Sequence, residues 1–219
     1  MKPLKNLTEQ ESLEYLKSLA IPYPRHVLVK NEKELLEVDL NYPLAMKISS
    51  PDIFHKTDVG GVLLDLKNKQ EVELGFQTIL TKVKKEKPDA RIEGVMVLEQ
   101  APDGRELIVG LSNDPAFGKV IMVGIGGVFT ELFKDVVFRV VPIVEEDAWD
   151  MIEKIRGSAI LDGWRGKPPV DKSAIVKLLC DLSQFADTHP ELHSLDLNPV
   201  RVYEEGLIIL DVKATLVGE

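Results

Sequence analysis

Apolar residues along the chain recur with two periods, one typical of strands and one typical of helices. Short apolar runs separated by turn residues predict strands, and apolar positions spaced three and four apart predict amphipathic helices. The predicted strands are 26–29, 44–48, 62–66, 94–100, 106–111, 119–123, 136–141, 194–203 and 207–212. The predicted helices are 7–19, 31–36, 68–85, 145–155 and 171–187. This mixture predicts an α+β (mixed α/β) protein.

A run of turn-forming residues interrupts the pattern at 101–104, where the sequence is Ala-Pro-Asp-Gly. It predicts a boundary between two lobes. Residues 1–102 would form an N-terminal helix plus a smaller lobe, and residues 103–219 a larger lobe that contains the last hairpin. A crevice between two lobes is a common place for a ligand.

Composition narrows the classes of function. The chain has 219 residues, 44% of them hydrophobic, and a net charge of −9, which argues against general nucleic-acid binding. No apolar run is long enough to span a bilayer, and the N-terminus lacks the apolar segment of a signal peptide. The single cysteine, Cys180, fits a reduced, cytoplasmic protein without disulfides.

A lysine and a histidine stand out between the second and third predicted strands. Lys47 interrupts an apolar run, and a bound phosphate would offset the cost of burying its ammonium group. His55 follows in a polar loop and could accept a phosphoryl group, while Gly60 and Gly61 would allow a hinge. The alternative is a lysine that extends to solvent from an edge strand and an ordinary loop histidine.

The last predicted hairpin carries a set of hard oxygen ligands. Asp196 and Asn198 share one face of their strand because side chains alternate. Asp211 joins that face if the loop between the strands has two or four residues, whereas a three-residue loop would reverse its side. Two carboxylates and an amide suit Mg²⁺. The alternative is that Asp196 and Asn198 only shape the strand end before a proline.

A glycine-rich loop at 124–127 could present backbone N–H groups, including those of Gly126 and Gly127, to an anion. It is not a P-loop, because no Gly-Lys-Ser/Thr follows it. Glu131 and Arg139 lie downstream, where a carboxylate could orient an imidazole; a surface salt bridge is the simpler explanation.

One carboxylate lies close to the predicted boundary between the lobes. Glu99 ends an apolar strand, where a carboxylate beside a backbone edge could bind the amino group of adenine. The alternative is a strand-end residue that faces water.

Taken together, six motifs in one order resemble the ATP-grasp module of ADP-forming acyl-CoA synthetases, in particular the β subunit of the acetate–CoA ligase type. The motifs span nearly the whole chain. They are the Ser-Ser-Pro-Asp-Ile-Phe-His-Lys-Thr-Asp-Val-Gly-Gly run at 49–61, Glu-Leu-Ile-Val-Gly at 106–110, Asp-Pro-Ala-Phe-Gly at 114–118, Gly-Ile-Gly-Gly at 124–127 with Glu131, Leu-Asp-Gly-Trp-Arg-Gly at 161–166, and Asp-Leu-Asn-Pro at 196–199 with Asp211.

The resemblance implies an ATP-grasp fold that uses ATP or ADP with Mg²⁺, with the nucleotide in the crevice between the lobes. The implied reaction converts an acid, ATP and CoA reversibly into acyl-CoA, ADP and phosphate through a phosphohistidine. The implied roles are phosphoryl transfer by His55 on a mobile loop, phosphate contact by Lys47, the adenine pocket at Glu99, Mg²⁺ binding by Asn198 and Asp211, and less definite roles for Asp196 and Glu106.

The resemblance also implies a partner. A separate α subunit would carry the CoA-binding and ligase domains and bind the acyl substrate. The two subunits would form a heterotetramer, and the chain would be inactive alone. Two other functions stay open: an ATP-grasp carboxylate–amine ligase that needs no histidine, and a nucleotide-sensing module that regulates a partner domain. The acyl group, the choice between ADP and GDP, and the role of residues 162–166 are also left open.

Overall fold

The computed structural model describes residues 3–127 and 135–218. In chain order the strands are β1 (Leu4–Asn6), β2 (His26–Val29), β3 (Leu44–Ser49), β4 (Val62–Leu66), β5 (Gly94–Glu99), β6 (Arg105–Asp114), β7 (Gly118–Ile125), β8 (Val136–Val140), β9 (Leu192–Val202), β10 (Leu207–Ile209) and β11 (Val212–Val217). The helices are α1 (Glu9–Tyr15), α2 (Glu32–Leu36), α3 (Lys69–Glu86), α4 (Glu145–Lys154) and α5 (Lys172–Thr188).

The described residues form two compact units. The smaller unit contains residues 8–10 and 24–102, and the larger unit contains residues 3–7, 11–23 and the described part of 103–218. Most of the N-terminal segment, which the sequence analysis grouped with the smaller lobe, therefore clusters with the larger unit.

The smaller unit is an antiparallel sheet in the order β2-β5-β3-β4, with α3 packed against one of its faces. Helix α3 begins after Asn68, whose side-chain oxygen accepts the backbone N–H of Glu71 at 3.0 Å. Its buried residues recur at helical spacing and join the core of this unit, together with alternate residues of β3. The core residues from the helix are Val72, Phe76, Ile79 and Val83.

The larger unit is an antiparallel sheet in the order β1-β11-β9-β6-β7-β8, with β10 paired to β9. One face is apolar and packs with α4 and α5 in a single core. Within the part of the chain that the structure describes, both sheets are antiparallel and the helices cover particular faces, which is the α+β organisation predicted from the sequence.

The first and last described segments of the chain meet at one edge of the larger sheet. Strand β1 pairs with β11 in antiparallel register, with Leu4 opposite Val217. The backbone N–H of Gly218 donates to the carbonyl oxygen of Pro3 at 2.7 Å. This edge therefore consists of the first and last described strands.

The predicted C-terminal hairpin is present, with two differences. Leu207 pairs with Val202, so residues 203–206 form a four-residue loop. The returning segment is divided into β10 and β11, which continues to Val217 and was predicted as one strand ending at Val212. The pairing register with β9 stays continuous across this division, because the backbone N–H of Asn198 donates to the carbonyl oxygen of Asp211 at 3.1 Å.

Asp171 connects the start of α5 to the hairpin loop. Its side chain caps the helix, accepting the N–H of Ala174 at 3.0 Å, and it also accepts the N–H of Gly206 at 2.9 Å. The Gly206 amide, followed by that of Ala174, holds the pKa of Asp171 below its ordinary value. Among the described residues, no helix is long and apolar enough to cross a membrane.

We expect Asp171→Asn to lower the free energy of unfolding at pH 7 by about 1 kcal/mol, because the amide cannot accept both N–H groups as the carboxylate does. The folded pKa is depressed, so the ionised group stabilises the fold above its unfolded pKa and this contribution is lost as the pH falls through the folded value. Urea unfolding should therefore show the difference shrinking below about pH 4. The exposed substitution Glu153→Gln serves as the control, and a difference that is constant with pH would contradict the assignment.

Candidate functional site

The predicted histidine loop, residues 50–61, projects His55 to solvent from an anchored base. His55 and its neighbour Phe54 are exposed, whereas Ile53, Lys56 and Val59 are buried. At the start of the loop, the N–H of Arg91 donates to Asp52 Oδ2 at 2.7 Å. The loop therefore presents the imidazole outward while the side chains around it hold the backbone to the smaller unit.

Gly61 is closely packed against its neighbours, which leave no room for a side chain. Its N–H donates to the carbonyl oxygen of Lys56 at 2.7 Å, and its own carbonyl accepts the N–H of Ile48 at 2.8 Å. A Cβ at this position would lie 2.6 Å from Ile48 Cγ2. Gly60 differs, since its φ of +65° lies in the left-handed region. The hinge hypothesis for Gly60 and Gly61 therefore has a physical objection at Gly61, where both backbone groups are hydrogen bonded.

Lys47 forms an ion pair that the sequence analysis did not anticipate. Its Nζ lies 2.9 Å from Glu9 Oε1, while Lys56 Nζ lies 2.6 Å from Glu9 Oε2. The three side chains are 11%, 0% and 5% exposed for Lys47, Glu9 and Lys56 respectively. A buried carboxylate thus accompanies the buried lysine, in addition to any phosphate that binds there.

The location of Lys47 follows from strand alternation. Met46 and Ile48 point into the core under α3, so Lys47 projects from the opposite face of β3. There its register partners are Val62 on β4 and Met96 on β5, which shows that Lys47 lies on an interior strand. The edge-strand alternative for Lys47 is therefore wrong.

Glu99 fastens the end of β5 to the segment before β3. Its Oε1 accepts the backbone N–H of Asn41 at 3.0 Å, Asn41 Nδ2 at 2.8 Å and Arg25 Nη1 at 3.0 Å. The Asn41 backbone N–H, with smaller contributions from its side chain and from Arg25, holds the pKa of Glu99 below its ordinary value. Glu99 is thus a charged acceptor whose orientation is set by its neighbours.

The larger sheet has a polar face opposite its core. In β9 the buried positions change phase, because Leu195 and Leu197 are buried and so are Val200 and Val202. The pairing with β6 shifts at the same place, since Leu107 lies opposite Val200 but Val109 lies opposite Leu197. This β-bulge inserts an extra residue into β9 and keeps both halves of the strand facing the core.

As a result, six polar residues share the face away from the core. They are Glu106 on β6, Asp196, Asn198 and Arg201 on β9, Asp211 between β10 and β11, and Lys213 on β11.

The register of the hairpin shows on which face Asp211 lies, which the sequence analysis had left dependent on the loop length. Because the hairpin loop has four residues, Asp211 lies opposite Asn198 and on the same face. Asp196 lies opposite Lys213, which the sequence analysis did not single out. Among the described residues, no group of three or more His, Cys, Asp and Glu is placed to hold a metal. A carboxylate with an adjacent amide is nevertheless a suitable donor set for Mg²⁺, which takes few protein ligands.

Glu106 and the glycine loop are in direct contact. Arg201 donates from Nε and Nη2 to Glu106 Oε1 at 3.0 and 2.9 Å. The N–H of Gly126 donates to the carbonyl oxygen of Glu106 at 2.6 Å, and a Cβ on Gly126 would lie 2.9 Å from that residue's backbone. The Gly126 amide is therefore engaged within the fold. At Gly127, with φ of +87°, no atom of the described residues beyond its chain neighbours lies within 4 Å of an added Cβ.

The remaining predicted residues lie elsewhere or cannot be described. Arg139 on β8 forms a salt bridge with Asp150 on α4, which also accepts Lys154 Nζ at 2.9 Å. Arg139 thus takes part in a salt bridge, although its partner is a carboxylate that the sequence analysis did not single out. Glu131 lies outside the described residues.

Residues that the sequence analysis did not single out complete these networks, among them Glu9, Arg25, Asn41, Lys56 and Arg201. Each is polar and distant in sequence from its partner, so no periodicity or spacing connects the two. Lys56 alone had a usable signal, because it adjoins His55 in the loop sequence.

Comparison with known proteins places this arrangement in a family. The family model described as an ATP-grasp domain matches residues 2–216. The chain belongs to this family, and its fold is the ATP-grasp fold with mixed helices and sheets.

Two relatives show which branch of the family the chain resembles. It is 42% identical over 212 residues to the acetate–CoA ligase [ADP-forming] I subunit beta of Pyrococcus furiosus, covering 96% of this chain and 91% of that subunit. It is also 42% identical over 215 residues to the 4-hydroxybutyrate–CoA ligase [ADP-forming] of Nitrosopumilus maritimus, covering 96% of this chain but 31% of that longer protein.

Solved structures give the same relationship. An acetyl-coenzyme A synthetase 1 of Ca. Korarchaeum cryptofilum, in complex with coenzyme A, Ca-AMPCP and HgCl+, has a TM-score of 0.93 and 41% identity, covering 97% of this chain and 93% of that chain. A second structure of that synthetase contains coenzyme A and Mg-AMPPCP, with a phosphohistidine segment pointing towards the nucleotide binding site. Its TM-score is 0.82 at 37% identity, with coverage of 97% and 93%.

We expect Gly61→Ala to destabilise the smaller unit by about 1 to 3 kcal/mol, because the added methyl group meets a packed side chain. Gly60→Ala is the matched neighbour and should cost about 1 kcal/mol, mainly through its left-handed backbone, because its Cβ would meet only the flexible Lys82 side chain, at 2.9 Å. Hydrogen exchange separates the two: Gly61→Ala should reduce protection of the Ile48 amide, which donates to residue 61, and Gly60→Ala should not. Equal protection in both variants would contradict the packing role.

Proposed function

We propose that this protein is the nucleotide-binding subunit of an ADP-forming acyl-CoA synthetase. In that role it transfers a phosphoryl group between a phosphohistidine and ADP or ATP. The observation that carries the proposal is the 42% identity to an acetate–CoA ligase subunit beta, which extends over 96% of this chain and 91% of that subunit. The arrangement of charged side chains described above supports individual roles within it.

Lys47 is the proposed contact for the nucleotide phosphates. Its ammonium group lies 2.9 Å from Glu9, which fixes the direction of the side chain in a mostly buried position. A compact cation on a rigid strand suits phosphate binding, because phosphoryl transfer depends chiefly on positioning and charge neutralisation.

Asn198 and Asp211 are the proposed ligands of Mg²⁺. Their backbones are hydrogen bonded across the hairpin and the register places them opposite each other, where they provide one amide and one carboxylate oxygen. When bound, Mg²⁺ would neutralise phosphate charge and hold the phosphate oxygens in place. Asp196 is a weaker candidate for direct ligation, because its register partner is Lys213, a cation that competes for its carboxylate.

Glu99 and Glu106 are the proposed contacts for the nucleoside. Carboxylate oxygens accept hydrogen bonds from the amino group of adenine and from ribose hydroxyls. Both side chains are already oriented by basic or amide partners, Arg25 and Asn41 for Glu99 and Arg201 for Glu106. Preorganised acceptors of this kind lose less entropy when a ligand binds.

His55 is the proposed phosphoryl carrier. When ATP forms, the bond between phosphorus and the imidazole nitrogen breaks as a bond forms from phosphorus to a terminal oxygen of ADP. The electron pair of the broken bond stays on the imidazole, and one proton from solvent neutralises the ring. The exposure of His55 supports this role, because the imidazole must also meet a second site on another subunit.

The complete reaction requires a partner. The Pyrococcus relative is named as subunit beta, which implies a second subunit in that enzyme. We propose that the partner of this chain is an α subunit that binds CoA and the acyl group, in a heterotetramer. The acyl group would be chosen mainly by that partner, since the relatives of this chain are named for both acetate and 4-hydroxybutyrate.

Calorimetric titration of the purified chain with ATP should show binding that Mg²⁺ strengthens. Lys47→Ala should weaken binding about 10- to 100-fold, the effect of losing one charge-assisted hydrogen bond to phosphate. Asp211→Asn should mainly remove the Mg²⁺-dependent part. The exposed Lys33→Ala is the matched control, and tight binding that is unaffected by either site variant would rule out the proposed roles.

Incubation with Mg²⁺ and γ-³²P-labelled ATP should label His55 with acid-labile, base-stable phosphate. His55→Ala should abolish the label while retaining ATP binding, because the loop tip is exposed and its side chain packs little. His193→Ala, on β9, is the control. Adding the CoA-binding subunit, CoA and acetate should then discharge the label as free phosphate while unlabelled acetyl-CoA forms. Acyl-CoA formation at the wild-type rate by His55→Ala would overturn the proposal.

A further inference from the structure

We propose that Glu9 is a positioning residue that holds the histidine loop in a fixed position relative to the phosphate-binding lysine, Lys47. The inference rests on the proposed function and adds to it a residue that lies outside every motif singled out in the sequence. Its basis is that the two oxygens of one carboxylate are used separately, Oε1 by Lys47 and Oε2 by Lys56, at 2.9 and 2.6 Å.

Glu9 thus bridges Lys47 and Lys56, and Lys47 is the partner that is proposed to contact the nucleotide phosphates. Lys47 lies in the middle of β3, where it pairs in register with both neighbouring strands. Its backbone therefore cannot move without disturbing the sheet. The carboxylate of Glu9 also fixes the far end of the side chain, so Lys47 gives the bridge a stationary end.

The second half ends beside the proposed phosphoryl carrier. Lys56 directly follows His55, and its carbonyl oxygen accepts the N–H of Gly61, which in turn accepts the N–H of Ile48. Lys56 is buried while His55 is exposed. The ion pair to Glu9 therefore fixes the residue from which the imidazole projects and limits the positions that the imidazole can reach.

Phosphoryl transfer makes such a bridge valuable. The imidazole nitrogen must approach the terminal phosphate in line, and small errors of position reduce rates steeply. Glu9 also competes with the nucleotide phosphates for Lys47, because both are anions that attract the same ammonium group. Glu9 is thus expected to support the transfer step and not to strengthen nucleotide binding.

This separation gives a test that a merely structural role would not satisfy. In Glu9→Gln, the rate of His55 labelling from Mg²⁺ and γ-³²P-ATP at saturation should fall about 10- to 100-fold. The KM for ATP should stay within about threefold of the wild type or decrease, because the competing charge is gone. Lys56→Met should show the same loss of rate with unchanged KM, and Lys56→Arg should restore part of the rate.

Two controls make the outcome decisive. Glu14→Gln, on the exposed side of the same helix α1, should change neither value. Circular dichroism and urea unfolding identify a variant that fails to fold, and Lys56→Met then carries the test alone. Labelling of Glu9→Gln and Lys56→Met at the wild-type rate would overturn the positioning role, as would a matching rise in KM. A wild-type chain that binds ATP but never labels His55 would instead overturn the proposed function itself.

Discussion

The constraint on which the rest of the larger unit depends is that its sheet must bury one face continuously while the other face stays polar. Strand β9 satisfies it only by changing phase at residues 198–199, where a bulge lets Leu197 and Val200 both reach the core. Pro199 lies within the bulge, where the missing N–H is tolerated. The same irregularity turns Asn198 and Arg201 to the polar face, so the packing of the core sets the geometry of the candidate metal and nucleotide groups.

Much of the fold could be predicted because most helices and strands have signals in their own local sequence. Asn31, Asn68 and Asp171 are short polar side chains before helical periods, and each caps the helix predicted after it. The hairpin register was conditional on loop length, and the four-residue loop resolved it. The bulge was not predicted, because Leu195, Leu197, Val200 and Val202 appear simply as frequent apolar residues until pairing with β6 reveals the change of phase.

In the candidate site, individual residues could be predicted from the sequence, but their partners could not. Lys47 interrupts an apolar run and His55 lies in the polar loop that follows, so both could be identified from the local sequence. The partner of Lys47 is a glutamate 38 positions earlier, and that of Glu106 is an arginine 95 positions later. Such pairs depend on which elements of the fold become neighbours, so the spacing of residues along the sequence does not reveal them. The resemblance to a family supplied roles for Lys47 and Glu106 but did not supply these partners.

The pairing of β1 with β11 has a consequence for how the module can be combined with other domains. Because Pro3 and Gly218 are hydrogen bonded, polypeptide that enters before residue 3 and polypeptide that leaves after residue 218 do so at adjacent points. A domain with neighbouring ends can be inserted into a surface loop of another protein, or extended at either end, without unravelling its sheet. The same architecture is thus suited both to a short chain and to a segment of a longer polypeptide.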